Sequence, residues 1–194
     1  MHNKIFILSG QTGIGKNYIL KQLLAKLLNL QKVVTCVPRK PRPGEIEGFD
    51  HYFISEEEAQ KMLEQDEYIE HAIVHGRLYG TPKKEIDRIL DSGKDGIMEI
   101  DVQGVEQLKR KIPNVVTIFV KYQDGNLEQL IRNRISNDHS RDFSEQEILK
   151  RIESARKEAE YIKDYDYVVV NPDGHPEQAV EDIKEIIKEN NGNN

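Results

Sequence analysis

Apolar positions along this chain recur in two periods. Ile5–Leu8 is an unbroken apolar run that stops at Gly10, the pattern of a strand buried on both faces. In the next stretch, KNYILKQLLAKLLNL, residues Ile19, Leu20, Leu23, Leu24, Leu27 and Leu28 fall at helical spacing. Lys32–Val37 (KVVTCV) predicts the following strand. The rhythm then breaks until about Thr81. PRKPRPGEIEGFD is too rich in Pro and Gly for a regular element. A short helix opens at Ser55, with Glu58 three residues on as a capping box, and EYIEHAIVHG predicts a strand. This interruption reads as a small lobe inserted into a larger sheet. Alternation resumes at Thr81-Pro82, which open a helix to about Leu90. DGIMEI, NVVTIFV and DYVVV predict strands; VEQLKRKI, NLEQLIRNR, SEQEILKRIESARKEAEYI and Glu177–Glu189 predict helices. Ser144 and Glu147 form a second capping box, and ISNDHSRDF before it is a polar loop. Strands alternating with helices argue an α/β fold, a parallel sheet covered on both faces.

Composition narrows the partners. The chain has 194 residues with a formal net charge of −6, room for one sizeable domain with lobes. An acidic balance gives no bulk attraction for nucleic acid or anionic membranes. Any anionic ligand must be held by locally clustered cations. Cys36 is the only cysteine, so no intrachain disulfide forms, which fits a reducing compartment. MHNKIFILSG lacks the regions of a secretory signal, and no apolar stretch reaches membrane-spanning length. A cytoplasmic location is expected.

The candidate chemistry starts at Gly10. GQTGIGKN nearly spells the phosphate-loop pattern G-x-x-x-x-G-K-[ST], lying between a predicted strand and a predicted helix. Gly10, Gln11, Thr12, Gly13, Ile14, Gly15, Lys16 and Asn17 are the ATP-binding candidates. Glycines let successive N–H groups converge on phosphate oxygens, a lysine reaches the terminal phosphates, and the helix dipole favours anions. Asn17 stands where a hydroxyl usually ligates Mg²⁺. Its amide oxygen is a different ligand on a longer arm, expected to weaken metal placement without abolishing nucleotide binding. A ligand-free glycine turn is the alternative reading.

Three spaced motifs, in register with the loop and spanning nearly the whole chain, resemble the guanylate kinase family. RKPRPGEIEG presents Arg39, Pro41, Arg42, Gly44, Glu45 and Gly48. EHAIVHGRLYGT presents Glu70, Gly76, Tyr79, Gly80 and Thr81, and EIDVQG presents Glu99, Ile100, Asp101, Gln103 and Gly104. The resemblance implies a P-loop kinase fold with three parts: a core (residues 1–34, 82–133 and 145–190), a GMP-binding lobe (35–81) and a lid (134–144). It implies transfer of a phosphoryl group from ATP to GMP, with dGMP as a second acceptor and Mg²⁺ as cofactor near Asn17 and Glu99. It implies that Arg39, Arg42 and Tyr79 grip the acceptor phosphate, that Glu70 and Asp101 read guanine, and that Thr35 and Thr81 touch the base. Guanidinium forks suit a dianionic phosphate. A carboxylate accepts from the N1–H and amino group of guanine, a donor pair adenine lacks. Lys16, Arg134 and Arg151 are implied catalytic cations, with Arg156 a further lid cation and Asn171 near the ATP base; Arg132 and Arg141 match no family arginine and are candidate substitutes for a lid cation.

The match departs from the family in several places. GFDHYF puts His51 before Tyr52, so His51 is the candidate for the phosphate-gripping role of a family tyrosine. Leu130 stands at a family arginine position, and the lid loop is longer than the family norm. No nucleic-acid or membrane partner is expected, and protein partners stay open. Two other readings stay open as well: a guanylate-kinase-like binding module that has lost catalysis, or a P-loop kinase of another phosphorylated small molecule.

Overall fold

The structure, a computed structural model, describes residues 3–74, 76–136 and 143–192. Its elements in chain order are β1 (Ile5–Gly10), α1 (Lys16–Lys26), β2 (Leu30–Lys32), β3 (Cys36–Val37), β4 (Tyr52–Phe53), α2 (Glu56–Glu64), β5 (Tyr68–Val74), β6 (Arg77–Pro82) and α3 (Lys83–Asp91). Then come β7 (Asp95–Glu99), α4 (Val102–Lys111), β8 (Val115–Tyr122), α5 (Leu127–Ser136), α6 (Glu145–Glu158), a 3-10 turn (Ala159–Asp164), β9 (Tyr167–Asn171) and α7 (Pro176–Asn190). Strands order β2-β7-β1-β8-β9 in a five-stranded sheet and β4-β3-β6-β5 in a four-stranded one. The chain divides into two compact units: residues up to Ile7 with Leu28–Val116, and Leu8–Leu27 with the residues from Thr117 onward.

In the first unit β2 runs parallel to β7, with Leu30 opposite Asp95. Gly96 lets this layer close up, since a Cβ there would lie 2.6 Å from Ile5 and 3.0 Å from Ile89. The four-stranded sheet mixes directions: β3 is parallel to β4, while β6 is antiparallel to both β3 and β5. Cys36 packs with Met62 and Tyr68 in a small core under this sheet, flanked by Tyr52, Ile54, Leu63 and Leu78. Burial pushes the Cys36 thiol up to about 12.

The second unit pairs β8 with β9 in parallel, Ile118 opposite Tyr167. β8 carries Ile118, Phe119 and Val120 at 0% exposure, as a strand covered on both faces requires. α1 buries Ile19, Leu20 and Leu23 and packs on α7, whose own stripe is Ala179, Val180, Ile183 and Ile187. The capping box at Ser144 and Glu147 is complete, whereas at Ser55 only the Glu58 N–H is bonded by the serine.

KVVTCV, expected as one strand, is two pieces in different sheets, β2 ending at Lys32 and β3 beginning at Cys36. Val33 and Val34 between them are buried at 1% and 3%, so their hydrophobicity reflects a buried crossing segment, not one strand. RLYGTP carried no strand expectation and forms β6.

Candidate active site

In the second unit, the glycine loop leads from β1 to α1. A Cβ on Gly10 would lie 2.1 Å from the Val120 carbonyl oxygen, so only glycine lets the loop leave the sheet this close to β8. α1 then starts at Lys16 with no side-chain cap and no acidic residue in its first turn. Its leading N–H groups and dipole are therefore left for an anion. Lys16 lies back over the loop, donating to the carbonyls of Gly10 (2.8 Å) and Gln11 (3.1 Å). Asn17 is exposed on the first turn.

The rest of the loop is braced from behind. Gln11 donates through Nε2 to the Ala155 carbonyl (3.0 Å) and accepts at Oε1 from the Tyr122 N–H (2.7 Å). Both ends of its buried amide are thus engaged by protein. Thr12 donates its N–H (2.5 Å) and its hydroxyl (2.7 Å) to the two carboxylate oxygens of Glu158. The Ile14 carbonyl accepts from Arg134 Nη1 (3.0 Å) and Asn171 Nδ2 (2.6 Å). Asn171 thereby holds the loop, while its Oδ1 is buried without a hydrogen-bond partner.

Among the lid cations, Arg134 also stacks over the Tyr122 ring at 5.4 Å, and Arg151 over Phe143 at 4.7 Å. Arg132 is held by Glu128 (3.0 Å) and Glu145 (2.6 Å). Arg156 is exposed. Leu130, at 9% exposure, packs in the core. Arg141 lies outside the described residues.

In the first unit, the other candidates gather on the four-stranded sheet. Glu70 on β5 is the register partner of Thr81 on β6, and the Thr81 hydroxyl donates to its carboxylate. Tyr79, two residues before Thr81, lies on the same face of β6. Glu70 is only 4% exposed. Burial raises its pKa to about 7, with the Asp101 charge adding to the rise and the Thr81 bonds opposing it. A Cβ on Gly104 would sit 2.5 Å from Glu70 Oε2, so a larger residue on α4 would require the carboxyl to shift from its present place. Asp101 caps α4, accepting from the Gln103 N–H at 3.0 Å. Glu99 is half-buried at the end of β7.

Tyr79 meets His51 edge-on, with ring centroids 6.4 Å apart. His51 Nδ1 is 2.8 Å from Thr35 Oγ1, and burial, with the Lys32 and Arg39 charges, lowers its pKa to about 4. Phe53 lies edge-on to His51 and beneath the Arg39 guanidinium at 5.3 Å. Thr35, His51, Tyr79 and Arg39 are thus linked through one aromatic cluster. Tyr52 leaves that cluster: its hydroxyl donates to Glu85 (2.8 Å). Arg39 forms a two-pronged ion pair with Glu45 (2.6 and 2.8 Å), and Glu45 also accepts from the Arg42 N–H (2.7 Å). The Arg39 partnership holds the Glu45 carboxyl down to about 2. The Arg42 side chain is exposed.

Sequence reasoning missed the structural part of this site. Glu158 drew no attention because its partner Thr12 lies 146 residues away, and Glu85 and Phe53 because the hydroxyl of Tyr52 and the guanidinium of Arg39 reach them only in the folded chain. Glu45 stood inside a quoted motif, but nothing in its spacing shows that it holds Arg39.

Comparison with known proteins places these arrangements in context. A family model described as Guanylate kinase matches residues 2–190. The chain is 40% identical to a guanylate kinase of Caldanaerobacter subterraneus subsp. tengcongensis, over 94% of this chain and 85% of that protein. It is 40% identical to one of Desulfitobacterium hafniense, over 96% of this chain and 90% of that protein. A crystal structure of guanylate kinase from Anaplasma phagocytophilum is similar with a TM-score of 0.76 at 29% identity, covering 96% of this chain and 85% of that one.

Proposed function

Because the chain belongs to the guanylate kinase family, we propose that its two clusters divide the substrates of one reaction: the loop of the second unit holds ATP, and the four-stranded sheet of the first unit holds GMP. The protein is an ATP-dependent nucleoside monophosphate kinase, converting ATP and GMP to ADP and GDP. The observation that carries the division of labour is Glu70, a buried carboxyl on the same sheet face as Tyr79 and Thr81. A carboxylate held there only by the hydroxyl and backbone N–H of Thr81 keeps acceptor capacity for a base with adjacent donors, as guanine has.

The roles follow from chemistry. Arg39 is preset by Glu45, so its fork is oriented before the acceptor phosphate arrives. Arg42, His51 and Tyr79 complete the phosphate grip, and Thr35 supports His51. Asp101 assists Glu70 in reading the base. Lys16 leaves the Gly10 and Gln11 carbonyls for the transferring phosphoryl group, joined by Arg134 and Arg151, while Arg132 and Arg156 serve the lid as supporting cations. Catalysis is positioning plus charge neutralisation of an in-line transfer, with no covalent enzyme intermediate. dGMP is a second acceptor, since no group assigned here depends on the 2′-hydroxyl.

Mg²⁺ fits this donor set. Among the described residues no three His, Cys, Asp or Glu side chains are grouped to hold a metal. The ion would be held largely by nucleotide phosphates, with Asn17 and Glu99 offering hard oxygen ligands. Bound so, the ion would supply charge neutralisation to the nucleotide phosphates. Asn17→Ser restores a short hydroxyl on the first turn of α1 and should lower the Mg²⁺ concentration for half-maximal rate several-fold. An unchanged Mg²⁺ titration removes the idea that Asn17 handicaps the metal.

A coupled assay with ATP, Mg²⁺ and a panel of GMP, dGMP, AMP, CMP and UMP tests the whole reading. GMP and dGMP should turn over, with AMP disfavoured by roughly 10⁴-fold, as for a site whose buried acceptor would go unpaired. Equal use of AMP would refute the role given to Glu70.

A further inference from the structure

We propose that Glu158, the last residue of α6, is a positioning residue for the ATP loop, one that sets the loop's shape and the pose of the Arg151-bearing helix together. The proposal rests on the reading of residues 10–17 as the ATP site and adds a residue outside it. All three polar groups of Thr12 are gripped: its N–H and hydroxyl by Glu158 at 2.5 and 2.7 Å, its carbonyl by the Tyr122 hydroxyl at 3.3 Å. Two hydrogen bonds to one ionised carboxylate are of the strong, orienting kind. Gln11, one residue earlier, donates to the Ala155 carbonyl. At Gly13, one residue later, a Cβ would stand 3.9 Å from Arg151 Nη1.

Arg151, Ala155 and Glu158 are spaced i, i+4, i+7 and therefore share one face of α6. That single face meets three consecutive loop residues, Gly13, Gln11 and Thr12, with a cation, a carbonyl and a carboxylate. A carboxylate beside a loop that binds polyanions is unfavourable for the ligand by simple Coulomb repulsion. Its two bonds to Thr12 give it a different use. They fix the third loop residue, so that the N–H groups from Gly13 onward are aimed before ATP arrives. Any rotation of α6 that moves Arg151 must also move Thr12 or break these bonds.

The test is a split between the two substrates. Glu158→Ala should raise the ATP dissociation constant, read by calorimetry, and KM for ATP by about 10- to 100-fold, the loss of one charge-assisted pair. KM for GMP should stay within about 2-fold of wild type, because GMP is held in the other unit. Glu158→Gln, which keeps an acceptor for the Thr12 N–H and a donor for its hydroxyl oxygen, should recover part of the loss. Thr12→Val, which removes only the hydroxyl, should weaken ATP less than Glu158→Ala, and the double variant should be no worse than Glu158→Ala alone. If Glu158→Ala is too unstable to measure, the Gln and Thr12→Val variants carry the test. The proposal is overturned if the variants lower only the melting temperature, or raise both KM values equally, with ATP affinity unchanged. Wild-type protein that binds no ATP at all would instead remove the reading of the loop itself.

Discussion

Lys16→Met is expected to lower kcat by roughly 10²- to 10³-fold, the range for losing one preorganised charge stabiliser of a transition state. The substitution keeps the length and apolar stem of lysine while deleting the ammonium. KM for GMP should hardly move, since the acceptor groups sit in the other unit. In the absence of nucleotide, Lys16 ties the Gly10 and Gln11 carbonyls, so its loss also costs stability, on the order of 1 kcal/mol for exchanged hydrogen bonds. Calorimetric melting separates the two effects: a small drop in Tm cannot account for a hundredfold rate loss. A variant with near-normal kcat would show that the ammonium only braces the loop.

The second large effect is at Glu70. Glu70→Gln keeps the shape but, with one oxygen left to accept from the Thr81 hydroxyl, turns an NH₂ toward the donors of guanine. kcat/KM for GMP should fall roughly 100-fold, the cost of leaving buried polar groups mispaired. Its titration gives a second readout. Because burial raises Glu70 to about 7, it is largely protonated in free protein below that pH. GMP needs the carboxylate, so binding releases a proton, and KM for GMP should fall as pH rises toward about 7 and then level off. In Glu70→Gln this slope should disappear. The same shift has a sign for stability. Between the ordinary carboxyl value of 4.5 and about 7, the native state holds a proton that the unfolded state has lost, so stability declines as pH rises through that window. A flat KM profile in wild type would show that Glu70 does not contact the base.

Much of this was legible in the sequence, for identifiable reasons. The glycine loop proposed for ATP is local: eight consecutive residues, a buried run before and a 3.6-period stripe after. The larger sheet declared itself through long apolar strands. Of the small sheet only β5 did, in EYIEHAIVHG; β3 and β4 are two residues each, and two residues carry no period. The groups proposed for the acceptor are scattered from Thr35 to Asp101 and became a set only through the family resemblance. Alternation said only that positions 51 and 52 face opposite ways; the structure supplies the side, with His51 toward Tyr79 and Tyr52 toward Glu85. What stayed hidden were long-range braces, such as Thr12 with Glu158, 146 residues apart. Leu130, read as a missing cation, is a core residue, buried with Ile131 on the inward side of α5.

Cys36 gives the molecule an intrinsic chemical clock. The only sulfhydryl in the chain is buried at 3% exposure, with its proton held far above neutral pH. A thiol reagent can therefore react with it only during excursions that expose β3. Adduct formation on that one sulfur would time the breathing of the small sheet, and no engineered label is needed to read it.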